Sequence, residues 1–135
     1  MVANTMKAVT RLAMEGHCCS QVMVLLALEA MEEENPQLVD AMRGLCGGMD
    51  SGMTCGVLAG AACMLSMVNP NAVEDRLVAS LVQWFQATFG PCYGGITCAQ
   101  IVAGDPRNKV ERCPRMMEQT FERCRELLSG TGQAI

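Results

Sequence analysis

Apolar residues at helical spacing, interrupted by glycine and proline, constrain the fold of this chain most. In residues 2–15, for example, Val2, Met6 and Val9 fall on one helical stripe. β-Branched residues are few and strict apolar–polar alternation is absent, so strands are not indicated. We predict an all-α fold: a single-domain helical bundle of about five to six helices with Gly-rich loops, spanning residues 1–135.

The longest amphipathic pattern follows the Asn69-Pro70 break. Asn71 and Glu74 fit an N-cap and its capping partner, so we expect a helix to begin there. Gly90-Pro91 is expected to end it.

Charge and hydropathy exclude two classes of partner. The net charge is −4, the sequence pI is about 4.9, and the ten basic residues are scattered, which argues against nucleic-acid binding. No apolar run reaches the ~18 residues that a membrane span needs, and no signal peptide is evident. We therefore expect a cytoplasmic protein, in which a disulfide scaffold would be unusual.

Nine cysteines are the anomaly of this composition. The odd number prevents complete intramolecular pairing, and in a cytoplasmic chain many cysteines suggest metal binding or catalysis. A free cysteine is equally often a small buried hydrophobe, however. The nine are Cys18, Cys19, Cys46, Cys55, Cys63, Cys92, Cys98, Cys113 and Cys124.

Four cysteines fall at predicted helix starts. Thr54 and Thr97 are good N-caps, and a cysteine follows each. The four are Cys19, Cys55, Cys98 and Cys113. Unpaired N–H groups and the helix dipole stabilise a thiolate at such a place, which lowers the pKa of the cysteine below ~8.5. If the four converge, they would form a nucleophile set or a four-thiolate ligand set for a metal.

The helix start at Cys113 has an alternative. Cys113-Pro114 suits a first helical turn, because proline is favoured there. Asp105-Pro106 could instead begin the helix earlier, which would leave Pro114 inside it.

The other five cysteines have blander interpretations. Cys63 and Cys124 occupy apolar stripes and are expected in the core. Cys18, Cys46 and Cys92 adjoin the four helix-start cysteines and could act as resolving thiols.

Glycines and the single histidine offer weaker signals. The Gly-rich loop could hold an anion or cofactor, with Gly52, Thr54 and Gly56 as candidates. Gly56 and Gly60 lie four apart within one helix, and tight helix packing explains them better than a cofactor does. His17 could pair with a neighbouring cysteine, although an exposed turn residue is the simpler interpretation.

Several cysteine motifs are absent from the sequence. Without C-x-x-C, neither a thioredoxin-type centre nor a zinc ribbon is indicated. Without C-x-x-C-H, no c-type haem is expected.

Four blocks of the chain resemble a known family, the redox-active proteins named for the pattern C_GCAxxG_C_C. The blocks are Gly16-His17-Cys18-Cys19-Ser20-Gln21, Thr54-Cys55-Gly56-Val57-Leu58-Ala59-Gly60, Phe89-Gly90 with Thr97-Cys98, and Cys113 with the helix after it. Val57 stands where the family usually has alanine, and Cys92 is an additional thiol inside the third block. The resemblance implies that the defining cysteines are Cys19, Cys55, Cys98 and Cys113, in a C_GCAxxG_C_C-type helical domain. Family members resemble small helical bacterial proteins often encoded near transporters.

Three functions remain open at this point. The first is thiol/disulfide or electron-transfer redox chemistry at Cys19, Cys55, Cys98 and Cys113, as in a thiol oxidoreductase with an unknown electron donor or acceptor. The second is an iron–sulfur or other thiolate metal site with the same ligands. The third is a helical interaction protein, such as a homo-oligomer, with structural cysteines.

Overall fold

The computed structural model describes residues 4–135, and in this range the protein contains seven α-helices and no strand. The all-α prediction is confirmed, with one helix more than expected. Within residues 4–135, no helix has both the length and the apolar character required to cross a bilayer. The helices are α1 Thr5–Met14, α2 Cys19–Met31, α3 Pro36–Met42, α4 Gly56–Val68, α5 Leu77–Tyr93, α6 Cys98–Val102 and α7 Pro106–Ser129.

Helices α2 and α4 form the centre of the bundle, and α7 packs across both and against α1. Val22, Met23 and Val24 are consecutive in α2 and all are fully buried. A helix that is apolar on all sides must be surrounded by protein, which explains its central place. Helix α7 is amphipathic and covers the core with Phe121 and Leu128.

Glycines allow α2 and α4 to approach closely. A Cβ at Gly60 would lie 2.8 Å from the Cα of Ser20, and one at Gly56 would lie 3.4 Å from the Cβ of Cys19. A real side chain at Gly60 would therefore clash with the α2 backbone. The interpretation of these glycines as packing residues is confirmed.

Two predicted helix boundaries are wrong. Helix α5 begins at Leu77 and not directly after Asn71, the predicted N-cap. The buried side chain of Asn69 accepts the N–H of Asn71 at 2.9 Å and organises a turn at Asn71 in place of a helix start. The same helix continues through Pro91 to Tyr93. Proline disfavours a helix interior without excluding it, so the final turn tolerates it.

Candidate thiol redox site

The N-terminus of α2 places two consecutive cysteines. Cys18 is the N-cap and Cys19 is the first helical residue. The side-chain Oε1 of Gln21 accepts the N–H of Cys18 at 3.1 Å, and its Nε2 donates to the carbonyl of Val39 at 3.0 Å. Because Gln21 is buried and its side chain makes both hydrogen bonds, it fixes the start of α2 against α3.

A short backbone bridge joins the loops before α4 and α6. Thr54 and Thr97 pair in an isolated antiparallel bridge, and the N–H of Cys98 donates to the carbonyl of Met53 at 2.7 Å. This pairing brings Cys55 and Cys98 together, although 42 residues lie between them in the sequence. The Gly-rich segment therefore acts as a connector between two cysteine-bearing helix starts.

The four predicted helix starts are confirmed only in part. Cys19 and Cys98 are the first residues of α2 and α6. Thr97 caps α6 as expected. Cys55 is itself the N-cap of α4, so this helix begins one residue later than the Thr54 cap implies.

Cys113 lies inside α7, so the interpretation of Cys113-Pro114 as a helix start is wrong. The alternative start at Asp105-Pro106 is the one observed. The Asp105 carboxylate accepts the N–H of Arg107 at 3.0 Å, which makes Asp105 a better N-cap than any residue near Cys113. Pro114 is accommodated within the helix.

The fold nevertheless gathers all four predicted cysteines. Ionisation of Cys19, Cys55 or Cys98 would raise the pKa of Cys113, and ionisation of Cys19 raises the pKa of Cys55 and of Cys98. Such mutual influence requires that the four sulfurs share one region of the protein.

Cys19 is the one member of this cluster with a lowered pKa. The Cys113 thiol donates a hydrogen bond towards the Cys19 sulfur and lowers the pKa of Cys19 from 9.0 to about 7. Burial opposes this effect, whereas the positive charge of Lys109 and the N–H of Cys19 itself support it. Lys109 lies one helical turn before Cys113, so one face of α7 supplies both stabilising groups.

The other three thiols are kept neutral, contrary to the prediction for helix starts. Burial raises the pKa of Cys55 to about 12. Burial and the charge of Cys19 also raise the pKa of Cys98. The hydrogen bond to Cys19, followed by burial, raises the pKa of Cys113 far above its usual range. Desolvation thus outweighs helix-end stabilisation at Cys55 and Cys98.

Access to solvent also separates the cysteines. Cys55 and Cys113 are 3% and 6% exposed, whereas Cys19 and Cys98 are half-buried. Of the two hydrogen-bonded cysteines, Cys19 is therefore the more exposed residue and Cys113 the more buried one.

A further cysteine pair lies beside this cluster. Cys18 and Cys46 form a disulfide with a Cα–Cα distance of 6.0 Å. From the sequence, both are predicted only as candidate resolving thiols, because a disulfide scaffold is not expected in a cytoplasmic chain. Adjacency of Cys18 to Cys19 was the one signal in the sequence, but nothing in the sequence pointed to Cys46 as its partner.

The remaining candidates are explained by local contacts. Cys124 is fully buried in the core, as predicted. Cys63 is half-buried and packs against the core. Cys92 is exposed. His17 lies 3.7 Å from a carboxylate oxygen of Glu15.

Loop residues considered for a cofactor make contacts with protein. A Cβ at Gly52 would touch Ala99 of α6, and Gly56 faces Cys19. Thr54 is in the backbone bridge. These contacts give the loop a structural role at the cysteine cluster.

The metal alternative has no geometric support. In the part of the chain that the structure describes, no group of three or more His, Cys, Asp or Glu side chains is arranged to hold a metal ion. The four thiols affect one another's pKa, but no three of them are arranged as metal ligands in the described part of the chain.

Comparison with known proteins assigns the chain to one family. A family model described as "Putative redox-active protein (C_GCAxxG_C_C)" matches residues 17–127, and the chain belongs to this family. No curated protein and no solved structure matches the chain. The matched range contains all nine cysteines.

Proposed function

We propose that the protein carries out thiol–disulfide redox chemistry, with Cys19 as the nucleophile and Cys113 as the resolving thiol. The main observation that supports this proposal is the hydrogen bond by which Cys113 lowers the pKa of Cys19 to about 7. A half-buried, ionisable thiol beside a buried, protonated one is the arrangement that a two-step disulfide exchange needs.

The proposed reaction balances without a cofactor. The Cys19 thiolate attacks one sulfur of a substrate disulfide, which forms a mixed disulfide and releases the other sulfur as a thiolate. Cys113 then gives its proton to a departing thiolate and attacks the Cys19 sulfur. The second substrate thiolate leaves, the substrate has gained two electrons, and the protein holds a Cys19–Cys113 disulfide.

Cys55 and Cys98 have a supporting role in this proposal. Their raised pKa values keep both protonated while Cys19 ionises, so the cluster carries one negative charge. Several neighbouring thiolates would repel one another and raise each other's pKa. We propose that the two neutral thiols allow Cys19 to ionise within a crowded sulfur site.

An aromatic disulfide reagent tests this proposal at pH 7. In the first reaction phase, the reduced protein should release two equivalents of aromatic thiol, one from attack by Cys19 and one from resolution by Cys113. Cys113→Ser should keep the mixed disulfide on Cys19 and release one. Cys63→Ser is the matched control and should behave like the unmodified protein. A stable single adduct on the unmodified protein would contradict the proposal.

A further inference from the structure

The surroundings of the Cys18–Cys46 disulfide suit the reduced thiols better than the disulfide. Cys18 Sγ lies 3.5 Å from the Oε1 of Gln21, and Cys46 Sγ lies 3.9 Å from the carbonyl of Met42. Both oxygens are acceptors, and a disulfide sulfur has no proton to donate to them. A thiol at either position would complete a hydrogen bond.

Ser20 strengthens this argument for Cys46. Its hydroxyl donates to the carbonyl of Met42 at 2.7 Å, and its Oγ lies 3.1 Å from Cys46 Sγ. A reduced Cys46 could donate to Ser20 while Ser20 continues to donate to Met42. Both Cys18 and Cys46 are half-buried, so neither is sealed in the core as a purely structural disulfide would be.

The pair is also close to Cys19. Cys18 precedes Cys19 directly. The point that a Gly56 Cβ would occupy lies 3.4 Å from both the Cβ of Cys19 and the carbonyl oxygen of Leu45, the residue before Cys46. The absent side chain at Gly56 therefore leaves Cys19 and the Cys46 segment side by side.

We propose that Cys18–Cys46 is a second redox couple, which exchanges its disulfide with the Cys19 and Cys113 thiols of the same chain. This inference rests on the function proposed above. The Cys19 thiolate attacks Cys46 Sγ, forms a Cys19–Cys46 bond and releases Cys18 as a thiolate. Cys113 passes its proton to Cys18 and attacks Cys19, which releases Cys46 as a thiolate and leaves a Cys19–Cys113 disulfide. Two electrons move from one pair to the other, and no external oxidant is needed.

Trapping the intermediate tests the exchange. Cys113→Ser protein holding the Cys18–Cys46 disulfide is kept without oxygen at pH 8, then acidified, alkylated and cleaved at methionine. Cleavage places Cys18 and Cys19 on residues 15–23 and Cys46 on residues 43–49, apart from Cys55. We expect a Cys19–Cys46 bridge with Cys18 alkylated, identified by fragmentation of the linked peptide. Cys113→Ala serves as a second variant if the serine protein does not fold.

Loss of Cys19 supplies the control. Cys19→Ser protein should keep its Cys18–Cys46 disulfide unchanged under the same conditions, while Cys63→Ser should exchange as the unmodified chain does. A Cys18–Cys46 bond that persists in the Cys113→Ser protein would overturn the inference. If Cys19 of the reduced, unmodified protein is still the cysteine alkylated fastest at pH 7, the proposed function stands. If Cys19 of the reduced, unmodified protein is also unreactive, the proposed function fails with the inference.

Discussion

Removing the Cys113 thiol should change the pH dependence of Cys19 in a defined direction. Cys113→Ala deletes the hydrogen bond that is the largest cause of the lowered pKa, while burial continues to raise it. Lys109 and the N–H of Cys19 continue to lower the pKa, so we expect the pKa of Cys19 to rise from about 7 towards its ordinary value of 9.0. A full return to 9.0 would lower the thiolate fraction of Cys19 at pH 7 from about one half to about 1%, roughly fiftyfold.

Nucleophilicity offsets part of this loss. A thiolate of higher pKa is intrinsically more reactive, with a Brønsted slope of about 0.4–0.5, which returns roughly eightfold over two pKa units. The alkylation rate of Cys19 at pH 7 should thus fall about sixfold. Above pH 10, where both forms are ionised, the variant should react faster than the unmodified protein. This crossing of the two rate profiles is the signature of a changed pKa.

Iodoacetamide labelling between pH 5 and 11, with Cys19 followed by mass spectrometry, measures both profiles. Cys63→Ala is the control, because Cys63 is half-buried and its pKa is raised by burial alone. It should leave the Cys19 midpoint near 7. A midpoint that Cys113→Ala does not move would refute the reasoning.

Three further results are expected. Lys109→Gln should raise the pKa of Cys19 by less than the loss of Cys113 does. Because Lys109 is exposed, the pKa difference between this variant and the unmodified protein should shrink in 1 M salt. Alkylation profiles of Cys19 at two salt concentrations measure this difference. Gly60→Ala should lower the free energy of unfolding by about 1–3 kcal/mol, because the new Cβ would clash with the α2 backbone. Gly90→Ala, at a helical position with open space around it, should raise the free energy of unfolding by up to about 1 kcal/mol. Urea unfolding measures both changes. Because the native state keeps Cys55 protonated, the stability that Cys55 contributes is present below pH 9.0 and should be lost as the pH rises to about 12. Under reducing conditions, the urea midpoint of unfolding should fall over this pH range. The fall should be smaller in Cys55→Ala.

Helical periodicity predicted the fold class because the core of this protein is built from helix faces. It could not give the start of α5, since Asn71 resembles an N-cap in sequence while the buried Asn69 side chain organises the turn. It also could not choose between the two starts of α7. Both carry a proline at a suitable position, and the Asp105 cap decided between them.

Capping arguments placed Cys19, Cys55 and Cys98 at helix starts but did not give their protonation, and they selected Cys113 through a helix start that is wrong. Helix ends act locally, whereas burial of Cys55 and Cys113 depends on packing among α2, α4 and α7. Cys18–Cys46 was missed for a similar reason. Its two members come together only because α3 folds back against α2, a tertiary event with no local signature.

Redox titration of the whole chain tests the central claim most directly. The protein is equilibrated without oxygen in glutathione buffers of graded potential, quenched with acid, alkylated and mapped. We predict that Cys19 and Cys113 lose their labels together over one two-electron transition and regain them on reduction. Labels that remain on both residues at every potential, or a disulfide that joins either one only to glutathione, would contradict the account.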